Sequence, residues 1–96
     1  MCGFLICSKD STINDSAFNM ALDLQRHRGP DSKKVINTSD IRIGFNRLSI
    51  IDPLERSMQP IVHGNLTMVM NGELYNYKYL RKKLEKRGYS FRTDGD

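Results

Sequence analysis

The hydrophobic positions of the chain fall into short segments, most of which have the period of two that is typical of strands. An apolar run over 3–8 predicts a short buried strand, and 33–38 and 41–46 predict two strands joined by a tight turn. A nearly continuous apolar run over 66–70 predicts a strand that is buried on both faces. Residues 89–92 alternate between aromatic and polar side chains, which predicts a final strand.

Two other segments repeat their hydrophobic positions at helical spacing. The first begins near Asn14, a good helix-capping residue, and is expected to end before Gly29-Pro30. The second begins at Asn76, extends to about Arg87 and is followed by Gly88, a typical helix terminator. Short strands clustered around two helices predict an α+β layered fold built on antiparallel sheet.

The composition is that of one globular domain at most. Hydrophobic residues make up 39% of the 96 residues and charged residues 27%, which is not the composition of a disordered chain. No apolar run is long enough to span a membrane, and the first residues lack the features of a signal peptide. Two cysteines without such a signal are typical of a reducing compartment, so we expect a cytoplasmic protein without a membrane partner.

The net charge of +4 is concentrated in one segment. Residues 78–92 carry one acidic side chain and seven basic ones, which are Lys78, Arg81, Lys82, Lys83, Lys86, Arg87 and Arg92. Such a cluster is typical of a nucleic-acid surface, and equally of the solvated face of a helix. No aromatic stacking motif accompanies the cluster, so we favour the helix face and expect no nucleic-acid partner. A small basic nucleic-acid-binding protein remains the less favoured alternative.

The first three residues, Met1-Cys2-Gly3, contain the strongest chemical signal. Removal of the methionine would leave Cys2 with a free α-amine next to its thiol. The ordinary pKa values of these groups, about 7.7–8.0 and about 8.5, lie close to working pH. A nucleophile and its general base would then share one residue, as in enzymes with an N-terminal nucleophile.

A thiol that attacks an amide also needs oxyanion donors and groups that hold the charged ends of the substrate. The side-chain amide of Asn71 and the backbone N–H of Gly72 are candidate donors, although Asn-Gly is also a common hairpin turn. Arg47 is suited to bind a carboxylate, and the alternative is a charge at a strand edge. Glu73 or Asp96 could receive an ammonium group. We expect no metal in this site.

Six short motifs in this order resemble the glutamine amidotransferase domain of glutamine-hydrolysing asparagine synthetases, which is the class II type with an N-terminal nucleophile. The motifs are MCG at 1–3, RHRGPD at 26–31, RLSIID at 47–52, QP at 59–60, NGELYN at 71–76 and TDGD at 93–96. No single motif is specific, but their combination is. Phe45 is a departure, because a histidine commonly stands at this position in the family.

The resemblance implies a role for each candidate residue. Cys2 would attack the side-chain amide of glutamine and form a thioester, and Asn71 with Gly72 would form the oxyanion hole. Arg47 would bind the glutamine carboxylate. The residues implied to hold the rest of the substrate are Glu73 and Asp96 at its amine, and Leu48, Ser49, Ile50 and Ile51 through their backbone.

The resemblance also implies an architecture and the reaction that each domain performs. The fold would be part of the αββα layered sandwich of N-terminal-nucleophile hydrolases, and residues 1–96 would form about the first half of that domain. Glutamine hydrolysis needs no cofactor, whereas ATP and magnesium belong to a synthetase domain that is absent here and would accept the ammonia. The alternative within this family is a truncated remnant without catalytic activity.

Overall fold

The computed structural model describes every residue from Met1 to Asp96 and contains two helices and two antiparallel sheets. The elements in chain order are β1 (Gly3–Ser8), α1 (Asp15–Leu24), a 3₁₀ turn (Arg26–Arg28), β2 (Ser32–Asn37), β3 (Ile41–Arg47), a second 3₁₀ turn (Glu55–Ser57), β4 (Ile61–His63), β5 (Leu66–Met68) and α2 (Tyr77–Glu85). This arrangement confirms the predicted α+β class. Neither helix combines the length and the hydrophobicity needed to cross a membrane.

The three-stranded sheet has the order β1-β3-β2, with both pairs antiparallel. Its register places Gly3 opposite Asn46 and Ser32 opposite Arg47. The start of β1, the start of β2 and the end of β3 therefore lie at the same end of the sheet. Cys2 immediately precedes β1, so the pairing places it beside the residues that follow β3.

Helix α1 packs on one face of this sheet through Phe18 and Leu22, which are fully buried. Gly44 allows the close approach, because a Cβ there would lie 2.5 Å from Leu22 Cδ2. The side-chain amide of Asn46 donates to the Leu22 carbonyl at 2.6 Å, and the Arg42 guanidinium lies over the Phe18 ring. Burial of each large apolar side chain stabilises the fold by roughly 1.5–3 kcal/mol, so this contact is the main core of the chain.

The opposite face of the sheet carries Ile43 and Phe45, both buried, and this confirms that they share one face. Their neighbours on β1 are less protected, since Phe4 is 38% and Ile6 45% exposed. The predicted buried strand at 3–8 is therefore present with its predicted bounds, but it alternates between half-buried and exposed residues. Cys7 is half-buried.

The first helix is shorter than predicted. Asn14 caps it as expected, because its side chain accepts from the Ala17 N–H at 2.8 Å, but α1 ends at Leu24 and the next residues form a separate tight turn. The reason lies at Gly29, whose backbone must pass directly beside Asn46 of β3. A helix that continued in a straight line to Arg28 could not make that approach.

The strand predicted over 66–70 is present in part but is not buried, and the strand predicted over 89–92 is absent. Residues 66–70 yield only the three-residue β5, all exposed, which pairs with β4 in a two-stranded hairpin turned at Gly64. Residues 89–92 form no strand. The apolar pattern of both segments predicts burial, but this hairpin has no neighbouring sheet to cover it. The sequence pattern predicted no strand at β4.

Helix α2 begins after Asn76 as predicted and ends at Glu85, two residues before the expected end. Its inward face carries Tyr77, Leu80 and Leu84, which are half-buried. Gly88 has a positive φ of 91°, which is the conformation expected of a residue that terminates a helix. The helix is thus correctly predicted in position, and its core contribution is small.

The close approach at Gly29 yields a stability prediction. A Cβ at this position would lie 2.3 Å from the Asn46 carbonyl oxygen and 2.7 Å from the Arg47 nitrogen, both of which are backbone atoms. We expect Gly29→Ala to lower the free energy of unfolding by about 1–3 kcal/mol, as overpacking does. Urea denaturation measures the change. Gly72→Ala is the control, since its Cβ would meet only Met70 Cγ, at 3.9 Å. Equal stability of the two variants would contradict the prediction.

Candidate active site

The thiol of Cys2 lies at the end of the sheet where β1 begins and β3 ends. The backbone N–H of Leu48 donates to its Sγ at 3.3 Å, and the Leu48 carbonyl lies 3.8 Å from the same sulfur. Met1 is 72% exposed, so the preceding residue stands clear of the core. The sulfur is thus held between the backbone N–H and carbonyl of one residue.

Two residues distant in sequence meet at the backbone carbonyl of Cys2. Arg28 Nε donates to this oxygen at 3.2 Å. The side-chain amide of Asn71, in the orientation that satisfies both of its ends, donates to the same oxygen at 3.2 Å and accepts from Arg28 Nη2 at 3.0 Å. The predicted nucleophile and the predicted oxyanion donor are therefore joined through one arginine.

The turn after α1 holds this arginine in place. Gly29 follows it and runs against the backbone of Asn46, while the carboxylate of Asp31 accepts from the Ser49 N–H at 2.6 Å. Asp31 is further bound through its own N–H, which donates to the Arg47 carbonyl at 3.0 Å. These contacts give Arg28, Gly29 and Asp31 each a role. Gly29 and Asp31 hold the turn against the end of β3, and Arg28 binds the Cys2 carbonyl.

Arg47 is buried, with 6% of its surface exposed, and is therefore not a charge at a solvent-exposed edge. Its Nη1 donates to the Leu54 carbonyl at 2.8 Å and its Nη2 to the Asp52 carbonyl at 2.5 Å. A guanidinium has five N–H donors, so these two bonds leave others for a ligand. Binding of a carboxylate by Arg47 stays a prediction.

The four residues after Arg47 were predicted to line the pocket through their backbone. Leu48 meets Cys2 Sγ, and Ser49 is bound to Asp31. The side chains of Ile50 and Ile51 are exposed. The segment therefore lies against the nucleophile at its start and extends into solvent at its end.

Asn71 and Gly72 form no hairpin turn, because the only hairpin after β3 turns at Gly64. The alternative reading of Asn-Gly is therefore wrong for this chain. Gly72 and Glu73 are exposed, and the space beside Gly72 is open except for Met70 Cγ at 3.9 Å. Gln59 positions the segment before them, since its Oε1 accepts from the Met70 N–H at 2.6 Å.

The last residues of the chain lie against the same segment. The carboxylate of Asp96 accepts from the Leu74 N–H, which brings Asp96 next to Glu73 in space. Arg81 of α2 fixes this terminal stretch by donating to the carbonyls of Thr93 at 2.6 Å and Gly95 at 3.1 Å. The two residues predicted to receive a substrate ammonium are thus neighbours, although they are far apart in sequence.

Two residues of the basic cluster 78–92 have structural roles. Arg81 binds the terminal stretch as described and lies 4.5 Å from the centre of the Phe91 ring. Arg92 donates to the Val62 carbonyl at 3.2 Å. The positive charge of this segment therefore serves, in part, to hold carbonyl groups of the same chain.

One residue of the site was not singled out from the sequence. The side chain of Asp52 is 2% exposed, and its φ of 45° lies in the left-handed region that L residues rarely adopt. Its Oδ2 accepts from the Asp94 N–H at 2.8 Å, from Ser57 Oγ at 2.7 Å and from Arg56 Nε at 3.2 Å. The Asp94 N–H, followed by the Ser57 hydroxyl, lowers the pKa of Asp52 to about 2, and the Asp52 carboxylate in turn raises the pKa of Arg56.

Comparison with known proteins agrees with this geometry. A model of the family described as "Glutamine amidotransferase domain" matches residues 1–96, the whole chain. The chain belongs to this family. Three asparagine synthetases of the glutamine-hydrolysing type match all of this chain: number 1 of Bacillus subtilis strain 168 at 40% identity, number 1 of Arabidopsis thaliana at 37% and that of Sandersonia aurantiaca at 38%.

The amidotransferase chain described here spans only a small part of these relatives. It covers 16%, 17% and 19% of their respective lengths. The similarity therefore concerns only that part of each relative.

The environment of Asp52 predicts a pH dependence of stability. Its pKa in the folded chain, about 2, lies below the ordinary value of 3.8. The ionised group therefore stabilises the fold above its unfolded pKa, and this contribution is lost as the pH falls through the folded pKa. We expect Asp52→Asn to lower Tm at neutral pH, and the difference from the parent to shrink between pH 3.8 and about 2. Thermal melts across this range measure it. A Tm difference that does not vary with pH would contradict the assignment.

Proposed function

We propose that this glutamine amidotransferase domain hydrolyses the side-chain amide of glutamine, with Cys2 as the nucleophile. The observation that carries the proposal is the meeting of Cys2 with Asn71 through Arg28. A nucleophile and an oxyanion donor have to lie side by side for acyl transfer. The whole-chain family match supports the same substrate class.

The reaction divides into two steps. After removal of Met1, the Cys2 sulfur attacks the amide carbon of glutamine, and the α-amine of Cys2 takes up the thiol proton. That proton passes to the leaving nitrogen as the carbon–nitrogen bond breaks, which releases ammonia and leaves a γ-glutamyl thioester. Water then attacks the thioester, and its products are glutamate and the restored thiol.

The tetrahedral intermediate of each step needs two donors. A primary amide carries two N–H groups, so Asn71 has one for the Cys2 carbonyl, at 3.2 Å, and one for the oxyanion. The N–H of Gly72 supplies the second donor, and the open space beside this residue leaves room for the substrate. This assignment is supported by the proximity of Asn71 to Cys2.

The substrate lies, in this proposal, along the surface between Arg47 and the end of the chain. The guanidinium of Arg47 binds the carboxylate of glutamine, and Glu73 with Asp96 receives its ammonium group. The backbone of Leu48, Ser49, Ile50 and Ile51 lines the remaining wall. The burial of Arg47 supports its role, because a buried charge attracts a counter-ion more strongly than an exposed one.

The ammonia would supply a synthetase domain of the asparagine-synthetase type, as the names of the relatives suggest. Residues 1–96 would be the N-terminal portion of the amidotransferase domain. ATP and magnesium would bind to the synthetase domain and not to these residues, and glutamine hydrolysis itself would use no cofactor. We place this reaction in the cytoplasm.

Replacement of the nucleophile tests the proposal most directly. We expect Cys2→Ala to abolish glutamine-dependent ammonia release by the full-length protein, because no other thiol lies at this end of the sheet. Cys7→Ala is the matched control, since Cys7 lies within β1, which Cys2 precedes, and is half-buried as Cys2 is; it should keep its activity. Coupled glutamate assays and intact mass of the mature N-terminus measure both points. Unchanged hydrolysis in Cys2→Ala would remove Cys2 from the mechanism, and an inactive parent would favour the catalytically inert remnant.

Removal of the oxyanion donor has a different signature. We expect Asn71→Ala to lower kcat by roughly 10²–10³-fold, the usual cost of losing one such donor. Its KM for glutamine should change little, since the donor acts mainly on the transition state. Asn65→Ala, in the β4–β5 turn, is the control and should match the parent. If kcat were unaffected by Asn71→Ala, the oxyanion assignment would be wrong.

A further inference from the structure

Asp52 connects the two ends of the candidate substrate site. Its backbone carbonyl accepts from Arg47 Nη2 at 2.5 Å, and its carboxylate accepts from the Asp94 N–H at 2.8 Å. Arg47 is the residue assigned to the substrate carboxylate, and Asp94 lies two positions before Asp96, which is assigned to the substrate ammonium. A single residue thus contacts both sides of the site through different groups.

The terminal stretch 93–96 depends on contacts of this kind, because it has no regular secondary structure. Its carbonyls accept from Arg81, and the N–H of Asp94 donates to Asp52. Arg56 adds an ion pair with the Asp94 side chain while it also binds Asp52. The Asp52 side chain is 2% exposed, against 44% for Arg56 and 77% for Asp94, so it is the fixed point to which the stretch is attached.

The conformation of Asp52 indicates that its position is constrained. A φ of 45° is unfavourable for a residue with a Cβ. Reversal of the chain at this position turns the Asp52 carbonyl towards Arg47 and its carboxylate towards Ser57 and Asp94.

We propose that Asp52 is a positioning residue that sets the separation between Arg47 and Asp96, and so the fit of the site to the carboxylate and the ammonium that an amino acid carries on its α-carbon. This inference rests on the proposed glutamine hydrolysis. Asp52 itself touches no reacting atom. Through the Asp94 N–H it holds the terminal stretch in which Asp96 accepts from the Leu74 N–H.

The kinetic test uses the full-length protein and the variants Asp52→Ala and Asp52→Asn. We expect Asp52→Ala to raise KM for glutamine by about 10- to 100-fold with kcat changed by less than about threefold, because an ammonium contact formed equally in ground and transition states is lost. Asp52→Asn keeps one acceptor oxygen and should lie between the parent and Asp52→Ala. Asp23→Asn is the matched control, since it removes a carboxylate that pairs with Lys33 at the surface.

A substrate analogue separates positioning from general loss of structure. Glutaramate lacks the α-amino group of glutamine and cannot contact Asp96 as an ammonium would. We therefore expect Asp52→Ala to lower kcat/KM for glutaramate by less than about threefold, and kcat/KM for glutamine by about 10- to 100-fold. An equal fall for both substrates would mean a merely structural role for Asp52 and would overturn the proposal.

Hydrogen exchange gives a readout that does not depend on catalysis. The N–H of Leu74 donates to Asp96 and has no direct contact with Asp52, so faster exchange of the Leu74 peptide in Asp52→Ala would show that Asp96 has moved. Unchanged exchange at Leu74 together with an unchanged KM would overturn the inference while the parent remains active. A parent without glutamine hydrolysis would instead overturn the proposed function. If Asp52→Ala does not fold, the same measurements on Asp52→Asn decide the question.

Discussion

The antiparallel pairing of β1 with β3 is the contact on which the candidate site depends. Gly3 lies opposite Asn46 in this ladder, so the residue before β1 comes beside the residues after β3. The Leu48 N–H then meets Cys2 Sγ. Register in a sheet is strict, because a slip by one residue exchanges the two faces. The position of Cys2 is therefore set by the same hydrogen bonds and by the packing of Phe18 and Leu22 that hold the sheet together.

Charged side chains that bind backbone groups bring the loops to this end of the sheet. Arg28 binds the Cys2 carbonyl, Arg47 binds the carbonyls of Asp52 and Leu54, and Arg81 binds those of Thr93 and Gly95. Loops have no ladder of their own, and their buried polar groups need partners. Arginine suits this purpose because its donors are several and are arranged in a fixed plane. Three loops from different parts of the chain are thus held by three guanidinium groups.

The sequence predicted much of this arrangement where local signals and tertiary structure agree. The bounds of β1 and the starts of both helices agree with the prediction, because the apolar period, the cap at Asn14 and the residue Asn76 act locally. The end of α1 and the fate of 66–70 and 89–92 disagree. Those outcomes depend on the close approach of Gly29 to β3 and on whether another sheet covers an apolar segment. Neither can be inferred from the spacing of apolar residues along the chain.

By itself, the sequence determined the elements of the sheet, the family of the chain and the residue types that its chemistry requires. Motifs carry that information because a thiol, an amide and an arginine have fixed chemical capacities wherever they stand. Only the tertiary structure decided which groups meet. It joined Asn71 to Cys2 through Arg28, brought Asp96 to the segment of Glu73, and revealed Asp52 between the two ends of the site. These contacts link positions far apart in the chain, so they follow from the register of the sheet and the course of the loops.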